Sequence, residues 1–351
     1  MLDGNIDVAP MGVPGEWVGS AFTFGAPESV IDKSMIFDMF QVYRNGRWFE
    51  PPISQIGLGR AYRMAPYHQS ALLLKRNLLA QSFKPHRLLS RQQFGALALD
   101  YLIFGNGYLQ EVPNVFGQPM QLMHSPAAWT RVGLEVGRYW FIQPAQFLPQ
   151  IVDELMGRVL HLKEPDPLQE IYGMPEYLSS LQSGLLNENA TLFRRKYYLN
   201  GMHAGFILYI AEEGFQEQDS EELRRQLKMA KGPGNFRNLF LHIPKGKPDG
   251  VKILPISEIA AKDEFLHIKE VTRDDMLSAH RVPPQLLGIV PKNGTGFGNV
   301  IDAVRAFYHL EIVPLQARLS VVNEWLGEEV VSFAEPLDIA LLQPTQPSVK
   351  G

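Results

Sequence analysis

Residues 90–112 read SRQQFGALALDYLIFGNGYLQEV, and this stretch holds both halves of the fold. Ser90 is a helix-capping residue with Gln93 three positions on, the spacing of a capping box, ahead of an apolar run. Gly105-Asn106-Gly107 stops that helix, and Tyr108 to Val112 reads as a strand. Further strand-like runs follow at Met120 to Met123, Trp129 to Val132, Tyr139 to Gln143 and Val159 to Leu162, separated by Gly, Pro and Asn turns. With a second helix upstream, over about Tyr67 to Ala80, the pattern is α+β with an antiparallel sheet. From Phe24 to Pro66 short apolar patches alternate with turn signals, Arg44-Asn45-Gly46-Arg47 and Pro51-Pro52, which predicts irregular structure.

Downstream the helices lengthen. Pro175 suits the first position of a helix running to about Leu199, on the order of 35 Å long, with Asn200-Gly201 as its stop. Leu178, Leu181, Leu185 and Leu192 form one stripe, and Arg194, Arg195 and Lys196 cluster in the last turns, where they complement the helix dipole. A core helix with a solvated basic end accounts for this pattern without any partner. A strand at Phe206 to Ile210, a helix at about Asp219 to Lys231 and strands at Leu239 to Ile243 and Val251 to Leu254 make the next unit. Between Arg224 and Lys252 stand eight basic residues, among them Arg224, Arg225, Lys228, Lys231, Lys245 and Lys247, against one acid, Asp249. Such a run marks a surface for nucleic acid or an acidic partner, or else a solvated face.

A helix capped by Ser257 is predicted to about Arg281, where Val282-Pro283-Pro284 ends it because proline has no backbone N–H. Gly288 to Asn299 holds four glycines and Pro291, the composition of a mobile loop. The last helix, about Asn299 to Leu326, carries Ile301, Tyr308, Leu315 and Val322 at seven-residue spacing, with a kink expected at Pro314 and a stop at Gly327. Met1 to Thr23 reads as an arm without a core of its own, and Gln343 to Gly351 as an unstructured tail.

Composition narrows the function. The chain has 351 residues, 45% of them hydrophobic and 20% charged, so it folds and has room for two or three structural units. Having no cysteine, it holds no disulfide, thiolate metal site or cysteine nucleophile. It shows neither a signal peptide nor an apolar run long enough to span a membrane, and reads as a protein made in the cytoplasm. A formal net charge of −4 fits loose contact with nucleic acid better than a tight grip on phosphates.

Catalytic patterns are missing. Gly294-Thr295-Gly296-Phe297-Gly298 lacks the Gly-Lys-Ser/Thr of a phosphate-binding loop. The nine histidines include no pair four apart, and Asp274-Asp275 and Glu212-Glu213, being adjacent, diverge on any regular element. There is no Gly-x-Ser-x-Gly elbow. No catalytic residue, metal site or cofactor is therefore assigned.

Ten stretches, in order, resemble the PBSX-type family of phage portal proteins of temperate contractile-tailed phages. They are Phe22 to Gly25, Asn45 to Pro52, His86 to Gln92, Asp100 to Tyr108, Leu162 to Asp166, Tyr172 to Leu178, Asn187 to Tyr198, Asn200 to Gly205, His280 to Pro284 and Pro314 to Arg318. The resemblance implies a portal fold in a cyclic ring, usually of twelve subunits, around an axial channel for double-stranded DNA. It implies an α/β wing over 24–174, a wing and stem helix over 175–205, a small α/β clip over 206–256 and a stem helix over 257–287. A channel loop over 288–299, a kinked wing helix over 300–333 and a tail over 334–351 complete the scheme, with the arm at 1–23. Lys292, Asn293, Gly294, Thr295 and Gly296 would then approach DNA in the channel. Arg224, Arg225, Lys228, Lys231, Lys245 and Lys247 would face DNA or terminase at the clip, and Arg194, Arg195 and Lys196 would form a basic cluster on the stem. For each cation an intersubunit ion pair or a solvated side chain is the competing assignment. The implied partners are the terminase large subunit, the major capsid protein and scaffold, and head-completion proteins, in a virion without membrane contact. Two other readings compete: a non-viral nucleic-acid-binding oligomer using 224–252, and an enzyme with an unfamiliar site.

Overall fold

A computed structural model describes residues 42–143, 151–199, 206–210, 251–255, 261–289 and 300–334, all within the unit Ile31–Gly351. The predicted arm, the 219–231 helix, the 239–243 strand, the Ser257 cap and the tail lie outside the described residues.

Strands β1 (Tyr43–Asn45) and β2 (Trp48–Glu50) form a hairpin turning at Gly46, whose φ is +61°. Gly46-Arg47 is thus a two-residue hairpin turn, where the sequence predicted irregular structure. Trp48 holds the hairpin to the body by an isolated bridge to Gly133 and by a tilted contact with Trp140. Ser54 caps α1 (Gln55–Ala61) by accepting from the Gly57 amide at 3.1 Å. Helix α2 (Pro66–Ser82), expected over about Tyr67 to Ala80, opens one residue earlier on proline, and β3 (Phe83–Lys84) follows.

Ser90 caps α3 (Arg91–Phe104), its hydroxyl accepting from the Gln93 amide. The Gln93 carboxamide oxygen instead accepts from the His124 amide at 2.7 Å, so the second arm of the expected capping box ties the helix to a strand. Gly105 ends α3 in the left-handed conformation, φ +65°. The chain then enters β4 (Asn106–Pro113), followed by β5 (Pro119–Ser125), β6 (Thr130–Val132), β7 (Tyr139–Gln143), β8 (Ile151–Glu154) and β9 (Val159–Lys163).

Two antiparallel sheets result, ordered β5-β4-β9 and β6-β7-β8. Strand β8 was not predicted, because Ile-Val-Asp-Glu is too short to show alternation and pairing with β7 is what makes it a strand. Alternation along β4 decides which layer each face meets. Leu109 shares a buried core with Leu122, Leu162 and the helix residues Phe94, Leu97 and Ala98. Tyr108 points the other way, stacking on His161 at 4.4 Å with its edge toward Tyr139 of the second sheet at 5.9 Å.

The long helix predicted from Pro175 starts later. Pro175 is extended, Glu176–Ser180 is a 3₁₀ turn and α4 runs from Leu181 to Leu199. Tyr177 sets this break by burying its ring and donating its hydroxyl to the Ile103 carbonyl at 2.6 Å. Strands β10 (Phe206–Ile210) and β11 (Val251–Pro255) pair antiparallel. Helix α5 (Ala261–Ala279) returns alongside α4. A 3₁₀ turn at Pro284–Leu287 follows, and then α6 (Val300–Phe307), a π-turn at Tyr308–Ile312, α7 (Val313–Leu319) and α8 (Val321–Leu326). The disturbance expected at Pro314 therefore takes the form of a π-turn just before it, and Gly327 ends the helix at φ +74°. Leu315 and Val322 of the seven-residue series are buried; upstream of the π-turn the buried position moves one residue, from Tyr308 to Phe307. Strand β12 (Ser332–Phe333) pairs with β3, and Phe333 meets the stacked rings of Phe83 and Phe94. The C-terminal helices thereby complete the core begun by α2 and α3.

Gly105 cannot be replaced. A Cβ there would lie 2.4 Å from the Met174 backbone, whereas one at Gly117, φ +78° in the β4–β5 turn, meets nothing. Gly105→Ala is expected to abolish soluble folded protein or to lower stability by more than about 3 kcal/mol, against about 1 kcal/mol for Gly117→Ala. Thermal melts of the two variants test the contrast.

Candidate functional site

Of the residues expected to meet DNA or terminase, Lys292, Asn293, Gly294, Thr295, Gly296, Arg224, Arg225, Lys228, Lys231, Lys245 and Lys247 lie outside the described residues. Arg194 and Arg195 are exposed on the last turns of α4, and Lys196 follows them in the same helix. Burial, and then the Arg194 charge, lower the Lys269 ammonium from its ordinary value, so α4 and α5 bring cations together at the end remote from the body. The two helices are joined by polar contacts: Ser183 to Asp275 at 2.8 Å, Asn187 to Thr272 at 2.7 Å, and Lys269 to Asn187 at 2.8 Å.

At the other end of this pair, where it meets the α/β body, is an alternating chain of charges. Lys75 on α2 donates to Glu311 of the π-turn at 2.9 Å, and both are buried. The other oxygen of Glu311 takes the Arg281 guanidinium, which also reaches Glu176. The second oxygen of Glu176 accepts from Arg318 on α7 at 2.9 Å, and Arg318 donates to Glu164 just after β9 at 2.7 Å. Tyr101 of α3 closes the series by donating to Glu164. Three cations and three carboxylates thus neutralise one another through hydrogen bonds, the condition on which buried charges are tolerated. Lys75, Tyr101, Glu164 and Glu176 line a small cleft here together with Leu72 and His280.

Electrostatics follow from the geometry. Burial lowers the Lys75 ammonium, and the Glu311 charge beside it acts in the opposite sense. Burial also pushes the Glu176 carboxyl up, but its bond to Arg318 and the charges of Arg281 and Lys75 outweigh this and hold it below the usual range. Burial raises the Tyr101 hydroxyl, reinforced by Glu164, so it stays a proton donor.

Arg281 is the single non-glycine residue with positive φ among the described residues, at +54°. It follows α5 in a Schellman stop: its N–H reaches the Ser278 carbonyl, and the Val282 N–H reaches that of Leu277. Glycine is the residue that fits this position without cost. The arginine side chain, with one carboxylate on each side, is what offsets the strain.

Beside the charges, His68 of α2 and His280 at the end of α5 share a buried hydrogen bond, Nδ1 to Nε2, of 2.9 Å. Burial lowers His68 to about 3, and burial with the neighbouring His68, Lys75 and Arg281 charges lowers His280 well below its ordinary value. Both rings are neutral, packed against Tyr177. Sequence reading placed these histidines as surface or packing residues, and packing is what they do. Among the described residues no group of His, Asp and Glu is arranged to hold a metal, and no helix is long and apolar enough to cross a membrane.

The network was not foreseen, because its members are ordinary charges far apart in sequence. One signal was available: Tyr101, Glu164, Glu176, Arg281 and Arg318 fall in five of the ten stretches that carry the family resemblance.

Two outcomes follow. Glu311 serves two cations, so Glu311→Gln leaves Lys75 buried without its counter-charge and should cost about 3–5 kcal/mol, more than Lys75→Met, which leaves Glu311 paired with Arg281. Denaturant melts give the order. For the histidines, a base whose pKa falls on folding binds more protons when unfolded. Their contribution to stability is complete above pH 6.5, the ordinary histidine value, and is lost as pH falls from there, for His68 toward about 3 and for His280 in the same direction. The melting temperature should drop between pH 7 and pH 5, and less so in the double variant His68→Gln, His280→Gln.

Comparison with known proteins agrees with the fold. The family described as "Phage portal protein" matches residues 77–335. The "Probable portal protein" of Escherichia phage P2 is 46% identical over 317 residues, covering 89% of this chain and 90% of its own length. That of Haemophilus phage HP1 is 33% identical, covering 88% and 89%. Among solved structures, a chain of the "Neck of native GTA particle computed with C12 symmetry" shares the fold with a TM-score of 0.55 at 21% identity, over 83% of this chain and 87% of that one. The α+β architecture is that of the portal fold, and the chain belongs to the phage portal protein family.

Proposed function

We propose that this chain is one subunit of a cyclic ring at a capsid vertex, the head-tail connector through which double-stranded DNA is packaged and later ejected. The observation that carries the proposal is its similarity to the portal proteins of phages P2 and HP1 over nearly the whole length of each chain. The twelvefold symmetry named for the related neck supports a ring of twelve. Head-to-tail contacts that close by rotation generate such symmetry.

Within that ring, and in the PBSX-type scheme, residues 24–174 and 300–333 form the wing. Residues 175–205 and 257–287 are the wing and stem helices, 206–256 the clip and 288–299 the channel loop. The antiparallel pair α4 and α5, with β10 and β11 beyond it, suits a stem that carries a small outer unit. Arg194, Arg195 and Lys196 stand on that stem. Lys292 to Gly296 meet the DNA backbone, while Arg224, Arg225, Lys228, Lys231, Lys245 and Lys247 meet DNA or the terminase large subunit. The major capsid protein, scaffold and head-completion proteins are the other partners, and the site of action is the virion. The role is structural: the chemistry of packaging belongs to the motor that docks on the ring. A net charge of −4 suits a conduit, since a sliding duplex is better served by few phosphate contacts.

Native mass measurement of the purified chain should give one closed oligomer, with twelve chain masses expected. A stable monomer or dimer at micromolar concentration that binds DNA with a steep salt dependence would favour the nucleic-acid-binding alternative instead. Charge reversal at the loop, Lys292→Glu with Asn293→Asp, should leave the ring intact and reduce packaged DNA. Unchanged packaging would remove the channel-loop assignment.

A further inference from the structure

The two chain segments that flank residues 290–299 are both described, and both are anchored in the charge network. On the upstream side, Arg281 lies seven residues before Gly288, whose φ of +72° ends the Pro284–Leu287 turn. Downstream, α6 leads into the π-turn bearing Glu311, and α7 bears Arg318. Leu286, Leu287 and Ile289 pack on the same core cluster as Phe307 and Tyr308, so the segments also lie against each other. Apolar packing of this kind is non-directional and tolerates sliding. A guanidinium held between two carboxylates is directional, because its planar fork fixes both partners.

We propose that Arg281 is a positioning residue. It locks the downstream helix, through Glu311, to the upstream segment and, through Glu176, to the body, and so fixes the two described segments that residues 290–299 connect. The inference rests on the reading of 288–299 as the channel loop only for its consequence in DNA packaging. The lock itself involves described residues alone. Three features favour positioning over simple stabilisation. First, Arg281 occupies a left-handed backbone site where glycine would be less strained, so it is present for its side chain. Second, half of that side chain is exposed, so little apolar burial is gained by having it. Third, its two carboxylates sit on elements 135 residues apart, Glu176 and Glu311, and Arg318 ties Glu176 to α7 as well. The helix is thereby tied to Glu176 twice, once through each arginine. Two attachments at different heights restrain rotation about the helix axis as well as translation.

Arg281→Gly is the informative variant: it removes the lock and relaxes the backbone, so the chain should still fold and form the ring. Hydrogen exchange on the assembled ring is the readout. Peptides covering 282–289 and 300–312 should exchange roughly tenfold faster than in the parent, the scale set by losing hydrogen bonds between charged groups, with peptides from 91–112 unchanged. Arg281→Lys, which keeps the charge but loses the fork, should fall between. Unaltered exchange in both flanking segments, or a uniform rise that includes 91–112, would overturn the proposal. Packaging into heads built with Arg281→Gly rings then separates the two readings. A fall in packaged DNA accompanying faster exchange supports both. Faster exchange with undiminished packaging upholds the lock and overturns the channel assignment of the loop.

Discussion

Glu311 is a carboxylate in the interior, and an unpaired charge there is too costly to survive folding. Its partners must therefore be in place, and they come from opposite directions: Lys75 from the second helix of the body, Arg281 from the end of the returning long helix. Each brings a further obligation. Arg281 needs Glu176, Glu176 is shared with Arg318, and Arg318 is shared with Glu164. The consequence is that α2, α3, the end of β9, the 3₁₀ turn, the end of α5, the π-turn and α7 are held in one mutual arrangement. None can shift by a residue without stranding a charge.

Oil alone would not give that arrangement. The core around Phe94, Leu97, Leu109, Leu315 and Leu319 supplies the driving force for the last helix to dock, but apolar surfaces accept several registers at similar free energy. Ion pairs with fixed hydrogen-bond geometry add little net stability and much selectivity among those registers. In a subunit of the proposed ring this has particular value, since an error in one joint is repeated around the axis and a ring closes only if every rotation is right.

How much of this was legible in sequence depends on the range of the interaction. Ser90 and Gly105 declare the bounds of α3 because a cap and a left-handed stop are decided within a few residues, and both stand where expected. The strands from Tyr108 to Leu162 are likewise legible from their own residues. Strand β8 and the start of α4 are not: one is a strand because β7 lies beside it, and the other is delayed because Tyr177 reaches back to Ile103. The network is further from view, since Lys75 and Glu311 are 236 residues apart and neither is unusual for its type. Five of the stretches that carry the family resemblance supply members of the network, but Lys75 and Glu311 fall in none of them. The basic residues of 224–252 and the glycines of 288–299 drew notice by composition, while the joint between the helices that flank them in sequence has no compositional mark at all.

The π-turn shows how one local irregularity serves the whole. Phe307, Glu311, Leu315 and Leu319 are all buried, at steps of four along the helix. A regular helix turns about 100° per residue, so each step of four overshoots a full turn by about 40°, and three steps would swing the last residue about 120° away from the first. Such a line cannot stay on one face of a straight helix. The wider winding of Tyr308–Ile312, where the Val313 N–H reaches back to the Tyr308 carbonyl, takes up part of that drift. Pro314 makes this winding favourable, because it has no N–H for the Leu310 carbonyl and its ring crowds that same group. In a regular helix Phe307, before the turn, and Leu319, beyond it, would point about 120° apart, and the turn brings Phe307 nearer the face that carries Glu311 and Leu319. A proline on the exposed side of the helix thus widens the turn that aligns its buried side.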